Sequence, residues 1–218
     1  YFLRKKKINC VILAAARVGG ILENSKNQDK FLYENSMIQN NIIYSCHKHN
    51  INKLIFLGSS CIYPKGILKP MKENMLLSGK LEKTNEGYAL AKISGIKLCE
   101  YFNKKYKRDF ICLMPTNLYG PNDNFDPKSS HVIPGLIYKI HKAKVQNKKT
   151  LKLWGTGKPF REFMHVEDLA KAILFFLKLS KAKRFPNYLF NVGSGQELSI
   201  RKLSTMIKKI VGYKGDIV

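Results

Sequence analysis

Tyr88 and Lys92 stand four residues apart in Tyr88-Ala89-Leu90-Ala91-Lys92. On a helix that spacing puts both side chains on one face. An ammonium beside a phenol favours the phenolate, so the tyrosine pKa is expected to be lowered. Such a tyrosine can hand a proton to a carbonyl oxygen as hydride reaches the carbon, or run the reverse. The pair alone is weak evidence, because chance matches are common in a chain with 39 Lys and Arg. Its surroundings sharpen it. Ser59 and Ser60 follow an apolar strand-like run, where a hydroxyl can bond the same carbonyl oxygen; a serine there is also a common turn former. Cys61 comes directly after them, and His131 lies further along. A thiol and an imidazole both titrate close enough to neutral pH to move protons. A lone cysteine is more often core packing, and a lone histidine more often a satisfied structural residue.

The elements that must hold these residues alternate between strand and helix. Val11–Ala14 reads as a short buried strand, Phe31–His47 as a helix and Lys53–Gly58 as an apolar strand. Gly87–Tyr106 reads as a helix, and Phe110–Leu113 as a strand running into Pro115-Thr116-Asn117-Leu118-Tyr119-Gly120-Pro121. Repeated strand-then-helix order predicts an α/β fold with a parallel sheet. Ligands of such sheets bind beyond the carboxyl ends of the strands, which makes Ser59-Ser60-Cys61 and Pro115–Leu118 expected neighbours. Later, Val132–Lys142 reads as a helix interrupted early by Pro134, and Leu151–Trp154 as a short strand closed by Gly155-Thr156-Gly157. Val166–Leu179 reads as an apolar helix, Tyr188–Val192 as a strand, and Ser199–Val211 as a basic amphipathic helix capped by Ser199. Two domains are expected, residues 1–121 and 122–218, with some return of the second to the first sheet.

Bulk properties narrow the class. The chain has 218 residues, 44% of them hydrophobic, which suits a globular protein with a sizeable core. No apolar run is long enough to span a bilayer, and the basic start at residues 1–7 lacks the apolar stretch of a signal peptide. The five cysteines form no Cys-x-x-Cys pair, which argues against a zinc site or a disulfide framework and for a reducing, cytoplasmic setting. The net charge of +24 is spread along the whole chain without a recognition-helix or RNA-binding signature. It is expected to be solvated surface, with no specific nucleic-acid or membrane partner, although a positive field helps an anionic substrate arrive. Glu167-Asp168 reads as the acidic first turn of a helix, and neighbouring His165 completes no metal-ligand spacing.

The order strand-Ser-Ser, then Tyr-x-x-x-Lys, then strand-Pro-Thr-Asn resembles the extended short-chain dehydrogenase/reductases. The resemblance sharpens to the GDP-L-fucose synthase family. It is carried by Ala14-Ala15-Ala16-Arg17-Val18-Gly19-Gly20-Ile21, by Phe56-Leu57-Gly58-Ser59-Ser60-Cys61-Ile62-Tyr63-Pro64 and by Asn85-Glu86-Gly87-Tyr88-Ala89-Leu90-Ala91-Lys92. Met114–Phe125, Ser130–Pro134, Trp154–Gly157 and Arg161-Glu162-Phe163 continue it to the far part of the chain. It implies a Rossmann-like sheet with a smaller C-terminal α/β substrate domain, binding NADPH/NADP+ and a GDP-sugar, and dimerising. It implies 3,5-epimerisation of GDP-4-keto-6-deoxy-D-mannose, then reduction at carbon 4. The protons on carbons 3 and 5 are acidic beside the ketone, and Cys61 and His131 are implied to carry them. Ser59, Tyr88 and Lys92 are implied to serve the reduction. Leu57, Gly58, Ser59, Ser60, Lys92, Pro115, Thr116, Asn117, Leu118 and His131 are implied to line the cofactor. Lys139, Trp154 and Arg161 are implied to contact the GDP-sugar, where Lys and Arg suit a diphosphate.

One departure stands out. A dinucleotide-binding fold begins with a strand and a Gly-rich turn, and here Gly19-Gly20 is the only nearby pair and matches a later family segment. The chain is therefore expected to be an internal piece that lacks the first strand-turn-helix unit and the end of the substrate domain. Two rival readings are another nucleotide-sugar epimerase or dehydratase, and a non-catalytic polyanion-binding module. Cys61 with His131 argues against the first, and the intact Ser-Cys-Tyr-Lys-His set against the second.

Overall fold

The computed structural model describes residues 7–67, 69–127, 129–179 and 187–218; Lys5 and Lys6 of the basic start lie outside them. Strands β1 (Cys10–Leu13), β2 (Lys53–Leu57) and β3 (Asp109–Pro115) come first. Then follow β4 (Asn117–Tyr119), β5 (Thr150–Leu151) and β6 (Phe160–His165), and last β7 (Leu189–Val192), β8 (Glu197–Ser199) and β9 (Asp216–Ile217). The helices are α1 (Ile21–Lys26), α2 (Gln28–Lys48), α3 (Glu86–Tyr106), α4 (Val132–Val145), α5 (Val166–Lys178) and α6 (Ile200–Val211). Among the described residues no helix is long and apolar enough to cross a membrane. The chain forms two compact units. The first runs to Thr116 and takes up Glu167–Val192; the second is Asn117–Val166 with Gly193–Val218.

The first unit is built on a four-stranded sheet in the order β1-β2-β3-β7, every pair parallel. The middle strands β2 and β3 are buried on both faces, which is why Leu54-Ile55-Phe56 and Phe110–Met114 are unbroken apolar runs. The edge strand β1 differs from the buried strand expected at Val11–Ala14. Side chains alternate between faces; Leu13 is buried in the core while Ile12 is 47% exposed. Helices α2 and α3 are joined by Gln39, whose amide donates to the Ala91 carbonyl and, over 3.1 Å, to the Ser94 hydroxyl. A Cβ at Gly95 would lie 2.9 Å from both Gln39 and the Phe56 ring, so only glycine lets the helix come this close.

Glu100 on α3 ties that helix to the start of β7. Its carboxylate receives Lys97 Nζ at 2.9 Å, Lys104 Nζ at 2.5 Å and the Tyr188 hydroxyl at 2.7 Å. Burial pushes the carboxyl pKa up, but these three donors outweigh it and hold it down at about 2.

The second unit carries a three-stranded sheet, β4-β6-β8, parallel between β4 and β6 and antiparallel between β6 and β8. A separate parallel pair joins β5 to β9. Helices α4 and α6 close a small core of Leu136, Ile140, Leu203, Ile207 and Tyr213. The Ser199 hydroxyl accepts from the Lys202 amide over 3.2 Å, the expected N-cap of α6. Pro134 does not interrupt α4. It is the third residue after the N-cap His131, where its missing N–H costs no intrahelical bond. The strand expected at Leu151–Trp154 is shorter, because β9 ends at Ile217 and the chain turns at Gly155 with φ +75°. The short strands β4, β6, β8 and β9 and the short helix α1 are not legible in the periodicity. Two to six residues show too little of a repeat.

Because the Glu100 pKa is depressed, its bonds stabilise the fold above the ordinary value of 4.5, and that contribution is lost as pH falls from 4.5 towards about 2. Glu100→Gln is expected to cost about 1–3 kcal/mol at neutral pH. Urea titrations across that acid range should show wild type and variant converging as pH falls. A constant gap between them would contradict this account.

Candidate active site

The carboxyl end of β2 delivers Leu57-Gly58-Ser59-Ser60-Cys61 into a single 3-10 turn, Ser60–Ile62. Gly58 donates to the Leu113 carbonyl of β3 over 2.9 Å, and a Cβ there would lie 2.1 Å from the buried Met114 side chain. Ser59 caps the turn, its hydroxyl accepting from the Cys61 amide at 3.4 Å.

Tyr88 and Lys92 occupy the start of α3. The Lys92 side chain is buried, 3% exposed, and its Nζ donates to the Leu57 carbonyl over 2.8 Å. The same Nζ is 4.9 Å from the Phe56 ring centroid and 5.6 Å from that of Tyr88. Tyr88 in turn meets the buried Phe31 ring edge-on, with centroids 6.2 Å apart. Ser59, Cys61, Tyr88 and Lys92 are thus brought together within the first unit.

Burial dominates the electrostatics. It pushes the Cys61 thiol up to about 11, with the Ser59 hydroxyl and the Lys92 ammonium pulling the other way. It pulls Lys92 down to about 8, opposed by Cys61 and Cys112. It raises the Tyr88 phenol well above its usual value, and the charge of a Cys61 thiolate would raise it further. This corrects the expectation of a lowered tyrosine pKa. The Lys92 ammonium is directed at the Leu57 carbonyl, and desolvation of the phenolate outweighs its attraction. In the folded chain Tyr88 is a phenol and Cys61 a thiol, both proton donors.

The next strand end lies alongside. Leu57 pairs with Leu113, and Pro115 ends β3 two residues later. The Thr116 amide donates to the Val192 carbonyl over 3.1 Å, while its hydroxyl is buried with no hydrogen-bond partner. Asn117 and Leu118 open β4 and belong to the second unit, with Asn117 Nδ2 donating to the Glu162 carbonyl over 3.0 Å.

Within the second unit, His131 is the exposed N-cap of α4. Lys139, two turns on, places its Nζ 5.0 Å above the Trp154 ring, which is itself 73% exposed. Arg161, on β6, is exposed, and its guanidinium donates to the Phe160 carbonyl over 2.7 Å. Lys139, Lys142, Lys148 and Tyr138 line a cavity of about 260 Å³. Lys142 and Lys148 do not stand out in the sequence because basic residues are everywhere in it. Nor do Tyr63, Glu73 and Asn191, of which Asn191 hydrogen-bonds to both of the others. Nothing in their spacing announces contacts across more than a hundred residues. Among the described residues no His, Cys, Asp and Glu side chains group as a metal site, and Glu167 and Asp168 lie in the first turn of α5.

The family model described as the NAD dependent epimerase/dehydratase family matches residues 1–193. The chain belongs to this family. Its parallel sheet is accordingly a Rossmann-like one. It is 50% identical to the GDP-L-fucose synthase of Escherichia coli (strain K12), over 100% of this chain and 69% of that one. The crystal structure of a GDP-L-fucose synthetase from Naegleria fowleri bound to NADP is 31% identical with a TM-score of 0.83, covering 96% of this chain and 64% of that one. A GDP-mannoheptose C4 reductase from Campylobacter jejuni with NADP bound is 35% identical with a TM-score of 0.90, covering 100% and 74%.

The buried ammonium has a stability consequence. With the Lys92 pKa lowered from 10.5 to about 8, the folded chain releases this proton more readily than the unfolded one. Its cost is therefore fully present below pH 8 and disappears as pH rises through 10.5. Lys92→Met is expected to gain about 1–3 kcal/mol at neutral pH, less what the Leu57 carbonyl loses as an acceptor. Denaturant midpoints of wild type and variant at neutral and alkaline pH measure it; a less stable variant would contradict the account.

Proposed function

We propose that this chain performs the reaction of its GDP-L-fucose synthase relatives: 3,5-epimerisation of GDP-4-keto-6-deoxy-D-mannose, then NADPH-dependent reduction at carbon 4 to GDP-L-fucose. The observation that carries the reading is the cluster of Ser59, Cys61, Tyr88 and Lys92 at one strand end, in a chain half identical to such a synthase along its whole length. The proposed division of labour gives cofactor binding and chemistry to the first unit and GDP-sugar binding to the second.

In the epimerisation, Cys61 and His131 are the proton carriers for carbons 3 and 5. The Cys61 thiol is an acid as the chain folds. To take a proton it must first ionise, and the Lys92 ammonium lowers the cost of doing so. In the reduction, the Tyr88 phenol protonates the carbon-4 oxygen while Ser59 or Ser60 holds that oxygen. Lys92 fixes the phenol and reaches the nicotinamide ribose. The cofactor, when bound, supplies the hydride. The chain suits such a group: Gly58 leaves no side chain at the end of β2, and the partnerless Thr116 hydroxyl waits at the end of β3. Leu57, Ser60, Pro115, Asn117, Leu118 and His131 complete the proposed cofactor set. Lys139 and Arg161 suit the diphosphate and Trp154 a ring. Exposed Tyr33, Met37 and Tyr101 on α2 and α3 support a homodimer through those helices. The proposed setting is the cytoplasm, without a membrane or nucleic-acid partner.

The test supplies GDP-4-keto-6-deoxy-D-mannose and NADPH to the purified chain, following nicotinamide absorbance, sugar product and deuterium uptake from heavy water. GDP-L-fucose should form. Cys61→Ser should slow deuterium uptake by about 10²- to 10⁴-fold, and Tyr88→Phe should slow reduction by a similar factor while uptake continues. Neither uptake nor NADPH consumption by the wild-type chain would sink the reading.

A further inference from the structure

Asn191, on β7, commits its side-chain amide and its backbone N–H to one distant stretch of chain. Its Oδ1 accepts from the Tyr63 hydroxyl at 2.6 Å, and its Nδ2 donates to the Met71 carbonyl at 2.9 Å. Its backbone N–H donates to Glu73 Oε1 at 2.8 Å. That stretch begins two residues after Cys61. Strand β7 lies at the edge of its sheet, where an outward N–H has no strand to bond; Glu73 takes that place. Tyr63 is only 3% exposed, so its hydroxyl needs a partner in the protein, and the Asn191 amide is that partner.

The turn that carries Cys61 is weakly held by its own bonds. The Cys61 amide to the Ser59 hydroxyl measures 3.4 Å, the Ile62 amide to the Ser59 carbonyl 3.4 Å and the Tyr63 amide to the Ser60 carbonyl 3.3 Å. Bonds of that length lie beyond the usual range for N–H···O contacts. The short, well-made bonds are those of the next segment to Asn191. We infer that Asn191, through Tyr63 and Glu73, is a positioning residue that clasps the Cys61 turn against the sheet and so aims the thiol for proton transfer. The inference rests on the proposed function for the role of Cys61, though not for the clasp itself. It predicts a selective defect, since Tyr88 and Lys92 are anchored elsewhere, on α3.

The experiment uses the full chain with Tyr63→Phe, Glu73→Ala and Glu73→Gln. Tyr63→Phe keeps the ring and removes the bond to Asn191. Glu73→Ala uncaps the strand edge from a partly exposed position, and Glu73→Gln restores an acceptor there. Two readouts are followed: deuterium uptake into GDP-4-keto-6-deoxy-D-mannose, and the pH profile of Cys61 alkylation by iodoacetamide mapped by mass spectrometry. Tyr63→Phe and Glu73→Ala should slow uptake about 10- to 100-fold, as misplacement of a catalytic group does. Their alkylation midpoints should fall from about 11 towards the ordinary cysteine range as the thiol loses its burial. Glu73→Gln should stay near wild type in both. Folded variants with unchanged uptake and unchanged alkylation would overturn the clasp. If Tyr63→Phe does not fold, the Glu73 pair decides, and equal behaviour of its Ala and Gln members overturns the inference. A wild-type chain that takes up no deuterium while the variants still shift the alkylation midpoint would leave the clasp standing and remove the proposed function instead.

Discussion

Lys92 carries its ammonium into a nearly dry part of the first unit, and much else there depends on where that charge rests. It reaches across from α3 to the Leu57 carbonyl at the end of β2, so one bond joins the helix that bears Tyr88 to the strand that feeds Cys61. Burial makes the charge costly, and the rings of Phe56 and Tyr88 offset part of that cost through their faces. The same burial raises the thiol and the phenol. One desolvated neighbourhood therefore sets three ionisation states at once, leaving the cation easier to discharge and both acids harder to ionise. That is the starting state for a site that must give protons before it takes them.

Around that charge, the sheet supplies rigidity and the turns supply direction. Strands β2 and β3 are buried on both faces, so their ends are fixed by packing rather than by local bonds. Gly58 lies against Met114, and this close approach lets the chain leave β2 beside β3 without pushing the strands apart. The Ser59–Ile62 turn then depends on its neighbours, because its internal bonds are long. Glu100 plays a comparable part on the other side of α3, where three donors gathered on one carboxylate link the helix to Tyr188.

The second unit handles charge differently. Its lysines stay at the surface and use nearby rings, as Lys139 does over Trp154 and Lys142 over Tyr138. An ammonium over an exposed ring keeps most of its hydration and remains free to meet an anion. The net charge of +24 thus has at least two physical forms, one buried lysine with a structural cost and many solvated ones.

The sequence by itself determined the order of chemistry-bearing residues and the elements long enough to show a period. Phe31–His47 and Gly87–Tyr106 read as helices because a run of about twenty residues displays the 3.6 repeat, and spacing alone puts Tyr88 and Lys92 on one face. The Ser-Ser-Cys and Pro-Thr-Asn segments are legible as strand ends because each follows a short apolar run. Only the tertiary structure decided what depends on distance in space. Spacing points the Tyr88 shift in the wrong direction, because proximity to Lys92 is visible in a sequence while desolvation is not. The exposure of Ile12, the passage of Pro134 inside α4 and the return of Glu167–Val192 to the first unit depend on which element packs on which. The bonds of Asn191 to Tyr63, Met71 and Glu73 join residues 118 to 128 positions apart, and no local pattern encodes a contact at that separation.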